Sequence, residues 1–263
     1  MSSTQDEKTA RTMRLVHLAP LLSMVGGALA LAAVGRISAL SAAGWAAGLL
    51  YLGVSNALLA RGLRTHRISR FGWANATTAL RSTMVGVVTA LVTTSFTEDV
   101  SVPLLMGLTI PALALDAVDG WLARRTGTET DLGARFDMEV DAFLLLVLSA
   151  YVAQDLGWWV LTIGLMRYAF VAVGRILRWM RATLPTRYWR KVVTAATGIA
   201  LTIAAAGVLP SWAAGGVVLI ALGLLVESFG RDVLWLLRRH RAAAAVDPSR
   251  ERAAPAQKPW ARR

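Results

Sequence analysis

The sequence predicts an all-α polytopic membrane protein: a six-helix transmembrane body preceded by a surface helix and two extra N-terminal spans. Three observations lead there. The chain of 263 residues is 56% hydrophobic and only 17% charged. Its apolar residues fall in runs approaching twenty, the length a helix needs to cross a hydrocarbon core of about 30 Å. Its Lys and Arg residues crowd into every second connection between those runs.

The elements follow in order. Residues 1–14 are polar, and the first apolar run, 15–35, is longer than the core of a cleavable signal, so it reads as a retained span. The second run, 41–60, carries Gly44 and Gly48, a small-xxx-small pair suited to helix packing. Both runs are poor in polar groups and read as an accessory pair. The stretch 61–74 interleaves Arg61, Arg64, Arg67 and Arg70 with Leu63, Ile68, Phe71 and Trp73. It is too charged to span and reads as a helix lying on the membrane surface. Six further runs, 76–97, 102–124, 133–153, 156–178, 191–209 and 212–236, complete eight spans. Residues 237–263 form a basic tail, proline-bearing and disordered toward its end, held near anionic lipid. The organisation is thus an N-terminal tail with an accessory pair (1–60), a membrane domain (61–236) and the tail (237–263).

Charge fixes the expected orientation. Residues 1–14 carry three Lys/Arg, 61–81 carry Arg61, Arg64, Arg67, Arg70 and Arg81, and 124–135 carry Arg124, Arg125 and Arg135. Six basic residues lie in 175–191 and nine from 231 onward, whereas the connections near 98–103, 154–157 and 209–213 carry none. The positive-inside rule then puts both termini and the Asp-bearing turn in the cytoplasm, and an even number of spans is consistent with that. Trp45, Trp158, Trp159 and Trp212 fall near the outer boundary; Trp73, Trp121, Trp179, Trp189 and Trp235 fall near the inner one. Abundant arginine and alanine suggest a GC-rich bacterial genome, and so a bacterial inner membrane. The absence of cysteine excludes disulfides and cysteine-ligated zinc. His17, His66 and His240 are scattered and form no metal set. The net charge of +12 sits in connections and tail, which points to membrane surface and phosphate-bearing ligands rather than nucleic acid.

Against this apolar background stand four aspartates. Asp116 and Asp119 share a helix face at i, i+3 near the cytoplasmic end of the fourth span; Asp137 and Asp141 share one at i, i+4 at the start of the fifth. A short turn between the spans makes them antiparallel neighbours, so all four carboxylates can converge on one cytoplasmic cavity. Carboxylates at membrane depth mark a functional site by default and need cations between them. Oxygen-only ligands suit Mg2+ or Mn2+, and four carboxylates suffice for two ions, an arrangement suited to phosphoryl displacement. Gly120, Ala123 and Gly133 keep the neighbouring surface low enough for a bulky ligand. Arg124 lies where a guanidinium can meet a phosphate bidentately.

The segment Asp116-x-x-Asp119-Gly120-x-x-Ala123-Arg124, eight residues, Gly133-x-x-x-Asp137-x-x-x-Asp141 resembles the signature of the CDP-alcohol phosphotransferases at every fixed position. Asn75-x-x-Thr78-x-x-Arg81 is similar to the start of that family's first core helix, and Arg190-Lys191-Val-Val-Thr194 to the opening of its fifth. The resemblance spans about residues 61–236. It implies that Asp116, Asp119, Asp137 and Asp141 bind two divalent ions, Mg2+ or Mn2+, which hold the diphosphate of a CDP-linked lipid such as CDP-diacylglycerol. It implies that Asp141 is also the general base, and that Asn75, Thr78, Gly120, Arg124, Thr130 and Gly133 contact the cytidine nucleotide. It further suggests a homodimer. The two N-terminal spans lie outside the family's minimal six-helix pattern.

The implied reaction is attack of an acceptor hydroxyl on the lipid-bearing phosphate, with CMP leaving. Arg167 lies inside the sixth span and there needs an acidic partner or an anionic ligand. With Arg187, Lys191 and their basic neighbours it suits a phosphorylated polyol acceptor, inositol phosphate or glycerol phosphate, although the positive-inside rule alone accounts for most of the loop arginines. Glu227 and Arg231, at i, i+4, read as a structural ion pair. A cation- or proton-coupled transporter is the alternative use of the same carboxylates. Transporters commonly repeat their site in paired halves, and here the acidic cluster is one-sided.

Overall fold

The computed structural model describes residues 2–65, 73–126, 131–181 and 188–250. Among them the chain forms eight α-helices: α1 (Ser2–Ile37), α2 (Ala42–Thr65), α3 (Trp73–Thr94), α4 (Val102–Thr126), α5 (Asp131–Leu156), α6 (Leu161–Ile176), α7 (Tyr188–Ala205) and α8 (Ser211–Arg250). Short 3₁₀ turns at Trp158–Val160 and Arg178–Arg181 flank α6. No strand occurs among the described residues.

The eight apolar runs of the sequence all become helices, but they are not equally apolar. Among the described residues, four stretches are long and apolar enough to cross a membrane: Pro20–Ile37, Ala42–Gly62, Trp158–Ile176 and Ser211–Arg241. In α4 the apolar stretch Val102–Asp116 runs up to the last residue of that helix whose side chain is described. The difference follows from position. At most a third of each long apolar span is buried within the protein, and residues such as Leu22, Leu29, Leu50, Leu219 and Ile220 lie exposed. Those faces must be apolar to meet lipid. Helix α3 packs against α1, α2, α4 and α5. Its neighbours are mostly protein, so it carries Thr78, Arg81, Ser82, Thr89 and Thr94 buried. The hydroxyls of Thr89 and Thr94 donate to the carbonyls of Val85 and Ala90 one turn back, so neither is left unsatisfied.

Close approach of α2 to α3 depends on small residues. A Cβ at Gly44 would lie 2.2 Å from Thr94 Oγ1 and 2.7 Å from the Ala90 carbonyl oxygen, and one at Gly48 would lie 3.0 Å from Ala90 Cβ. The sequence reading of this glycine pair as a packing device is what the structure shows. Gly157, at φ 100°, turns the chain from α5 into the 3₁₀ turn in a conformation that side chains disfavour. At the same end Phe96 stacks on Trp158, and Gln154 donates to Ser95.

Two expectations change. Residues 61–65 continue α2 rather than starting a separate surface helix, and 66–72 lie outside the described residues. The basic tail expected from 237 is helical through Arg250, because α8 continues into the alanine-rich stretch 242–245, a strong helix former; residues 251–263 lie outside the described residues. Helix α4 runs through Pro111 without interruption.

Candidate active site

Three helix ends meet at the pole away from Gly157. Helix α3 contributes its first turns, α4 its last and α5 its first. Helix α4 ends at Thr126 and α5 opens at Asp131. The i, i+4 spacing of Asp137 and Asp141 puts both on one face of α5.

Arg81 of α3 stands between them. Its Nη1 lies 3.0 Å from Asp116 Oδ1 and also donates to Asp137, while Nη2 donates to Asp141. The Arg81 side chain is 1% exposed, whereas Asp116, Asp137 and Asp141 are 39%, 31% and 25% exposed. The arginine therefore forms a buried floor and the carboxylates an open rim. One oxygen from each of the three aspartates lies within 4.8 Å of the others. Arg81 Nε is buried without a hydrogen-bond partner.

A second layer supports this floor. Ser82, next to Arg81, hydrogen-bonds Ser55 and lies 3.4 Å from the Tyr51 hydroxyl, both on α2. The Tyr51 ring stacks on Phe143 of α5, two residues past Asp141, with centroids 4.7 Å apart. Helix α2 thus touches α3 and α5, two of the three helices that carry the ion cluster.

The remaining sequence candidates distribute as follows. Thr78 is buried on α3, one turn before Arg81. Gly133 lies in the first turn of α5, half-buried. Asp119, Gly120 and Arg124 lie on α4 and Asn75 on α3, but their side chains fall outside the described residues, as do Thr130 and Arg187 entirely. Arg167 donates to Glu139 of α5 at 2.6 Å, so an acidic side chain meets the need that its position creates. Lys191 is exposed on the first turn of α7. Its neighbour Arg190 pairs with buried Asp232 at 3.2 Å, and Trp189 donates to Glu227 at 3.0 Å. Glu227 also pairs with Arg231, as the i, i+4 spacing indicated. These contacts join α7 to α8. An apolar cleft of about 340 Å³ opens between α6 and α8, lined among others by Met166, Phe170, Trp179 and Phe229.

Sequence reasoning placed Arg81 at the end of the motif Asn75-x-x-Thr78-x-x-Arg81 but gave it no part in the acid cluster. It was counted with the basic cytoplasmic stretch, yet it falls inside the expected span 76–97. The argument applied to Arg167, that a guanidinium within a span needs an acidic partner, applied to it equally.

The donor set fits a divalent ion. It is all oxygen, closely spaced and open on one side, which suits Mg2+ or Mn2+ better than softer metals. A family model described as CDP-alcohol phosphatidyltransferase matches residues 71–227, from the start of α3 into α8 and across the whole ion cluster. No curated protein and no solved structure matches the chain.

Proposed function

Because the chain belongs to the CDP-alcohol phosphatidyltransferase family, we propose that it transfers a phosphatidyl group from a CDP-linked lipid, such as CDP-diacylglycerol, to the hydroxyl of a phosphorylated polyol and releases CMP. The single observation that supports this most directly is the convergence of Asp116, Asp137 and Asp141, from two helices, on one partly exposed cluster within an apolar body.

In this reading Asp116, Asp119, Asp137 and Asp141 hold two divalent ions, which supply neutralisation of phosphate charge when bound. The protein's own residues do the rest. Asp141 accepts the acceptor's hydroxyl proton as the new oxygen–phosphorus bond forms and the bond to CMP breaks. Asn75, Thr78, Gly120, Arg124, Thr130 and Gly133 bind the cytidine nucleotide, with Gly120 and Gly133 leaving room for it and Arg124 facing a phosphate. Arg167, Arg187 and Lys191 receive the acceptor's phosphate, Arg167 exchanging Glu139 for it. The apolar cleft between α6 and α8 suits an acyl chain, since Met166 on its wall adjoins Arg167.

The topology belongs to the same proposal: a six-helix catalytic domain over residues 61–236, the accessory pair α1–α2 before it, and the acid cluster facing the cytoplasm of a bacterial cell. The distribution of charge between the two poles supports it.

The test is CMP release by the purified full chain from labelled CDP-diacylglycerol, with inositol phosphate, glycerol phosphate and unphosphorylated polyols as acceptors, with and without Mg2+. Release that requires both the dication and a phosphorylated acceptor is expected. Absence of release with every acceptor, at saturating Mg2+, would reject the reading.

A further inference from the structure

The acid cluster already contains a cation of its own. Both terminal nitrogens of Arg81 are engaged, and between them they reach all three described carboxylates. The price is visible in the same side chain: Nε is buried with no partner, although an unpaired buried donor is costly. The carboxylates, not the arginine's own hydrogen-bonding needs, set the position of the guanidinium. Without Arg81, three like charges with oxygens within 4.8 Å of one another would repel.

We propose that Arg81 is the resident counter-cation of this cluster, holding the carboxylates together when no dication is bound and yielding their oxygens when one binds. The inference rests on the reading of Asp116, Asp137 and Asp141 as dication ligands. A lone pair directed at an N–H is not directed at a metal ion, and a guanidinium and a dication repel at this range. Each therefore weakens the other's hold on the same oxygens, and the weakening is reciprocal. Arg81 thus sets two properties together: it stabilises the metal-free protein, and it lowers the affinity for the ion. The protein can then fold in the membrane before any metal arrives. Arg81 acts through the carboxylates and is a positioning residue rather than a catalytic one.

The experiment measures Mn2+ binding to the detergent-purified full chain by the electron paramagnetic resonance of free Mn2+, alongside thermal unfolding with and without the ion. Arg81→Met is expected to bind Mn2+ about tenfold more tightly than wild type, a gain of about 1.4 kcal/mol. Without metal it is expected to unfold at a lower temperature, and added Mn2+ to raise that temperature more than in wild type. A folded Arg81→Met protein with unchanged or weaker Mn2+ affinity overturns the proposal. Should this variant not fold, the wild type decides. Mg2+ titration of protein labelled with 15N-arginine is expected to move the Arg81 side-chain signal, assigned by its loss in Arg81→Lys; a signal unmoved at saturation overturns the proposal. Absence of Mn2+ binding by wild type and variant alike overturns the metal reading itself. Equal binding by both overturns only the role of Arg81.

Discussion

Arg81 and Arg167 both sit within apolar helices of this protein, and their surroundings differ sharply. Arg81 is 1% exposed and meets three aspartates from two other helices. Arg167 is 32% exposed and meets one glutamate that is itself 54% exposed. An exposed pair of this kind contributes about 0–1 kcal/mol. A buried group that loses its partners costs several times that, because the remaining charge is stranded. The sequence draws attention to Arg167, the more isolated of the two along the chain. The structure buries Arg81 more deeply and gives it more acidic partners. What separates them is the number of carboxylates that the fold brings to each, a quantity set by three helices at once.

The strongest way to break this comparison is to neutralise one acid from each group. Asp141→Asn removes a partner of Arg81, a proposed ion ligand and the proposed general base. Turnover is expected to fall about a thousandfold or more, measured as CMP release, with helical content unchanged by circular dichroism. Glu139→Gln removes the acid that pairs with Arg167, and turnover is expected to change by no more than about fivefold. Comparable losses in the two variants would erase the distinction between the sites.

Stability offers the next contrast. Arg81→Met leaves three carboxylates without their shared cation and is expected to destabilise the metal-free protein by about 2–3 kcal/mol, less than a fully buried pair because the carboxylates are partly exposed. Arg167→Met is expected to cost about 1 kcal/mol or less, and that small difference should vanish in high salt, where exposed pairs are screened. Denaturant titration in detergent at two ionic strengths would read both. Salt sensitivity at Arg81 and not at Arg167 would invert the argument.

The candidate site was legible where its signal is local. Carboxylates three or four residues apart share a helix face, and their cost in an apolar chain singles them out. Arg81's place among the acids escaped because counting basic residues by connection assigns an arginine near the start of a span to the loop before it. Its three partners lie 35, 56 and 60 residues further along the chain, beyond the reach of periodicity. The helices were legible as apolar runs, but not which of them would be shielded. Helix α3 falls short of a lipid-facing composition because protein surrounds it, and only packing reveals that. Gly44 and Gly48 announced a close neighbour without naming it; the neighbour is α3. The helical extension of α8 was hidden by its charges, although its alanines favour the helix.

Arg167 has a further, smaller test. If it receives the acceptor's phosphate, Arg167→Met should raise KM for a phosphorylated acceptor by about tenfold with kcat retained, the size expected for one lost charged hydrogen bond. An unchanged KM would leave it solely the partner of Glu139, and the contrast with Arg81 would be complete.

The smallest effect concerns the layer behind Arg81. Tyr51→Phe deletes a hydroxyl 3.4 Å from Ser82 Oγ, a long contact whose loss is expected to cost about 0.5 kcal/mol. The bond from Ser55 to Ser82 and the stack on Phe143 remain. If α2 supports the site mechanically, this variant should keep wild-type turnover and Mn2+ affinity, because ring packing rather than the hydroxyl carries the support. Tyr51→Ala removes the ring as well, and should lower stability and loosen Mn2+ binding together. A loss of turnover in Tyr51→Phe alone, at unchanged stability, would mean that the hydroxyl reaches the chemistry through Ser82. The accessory pair would then belong to the active site rather than to its scaffold.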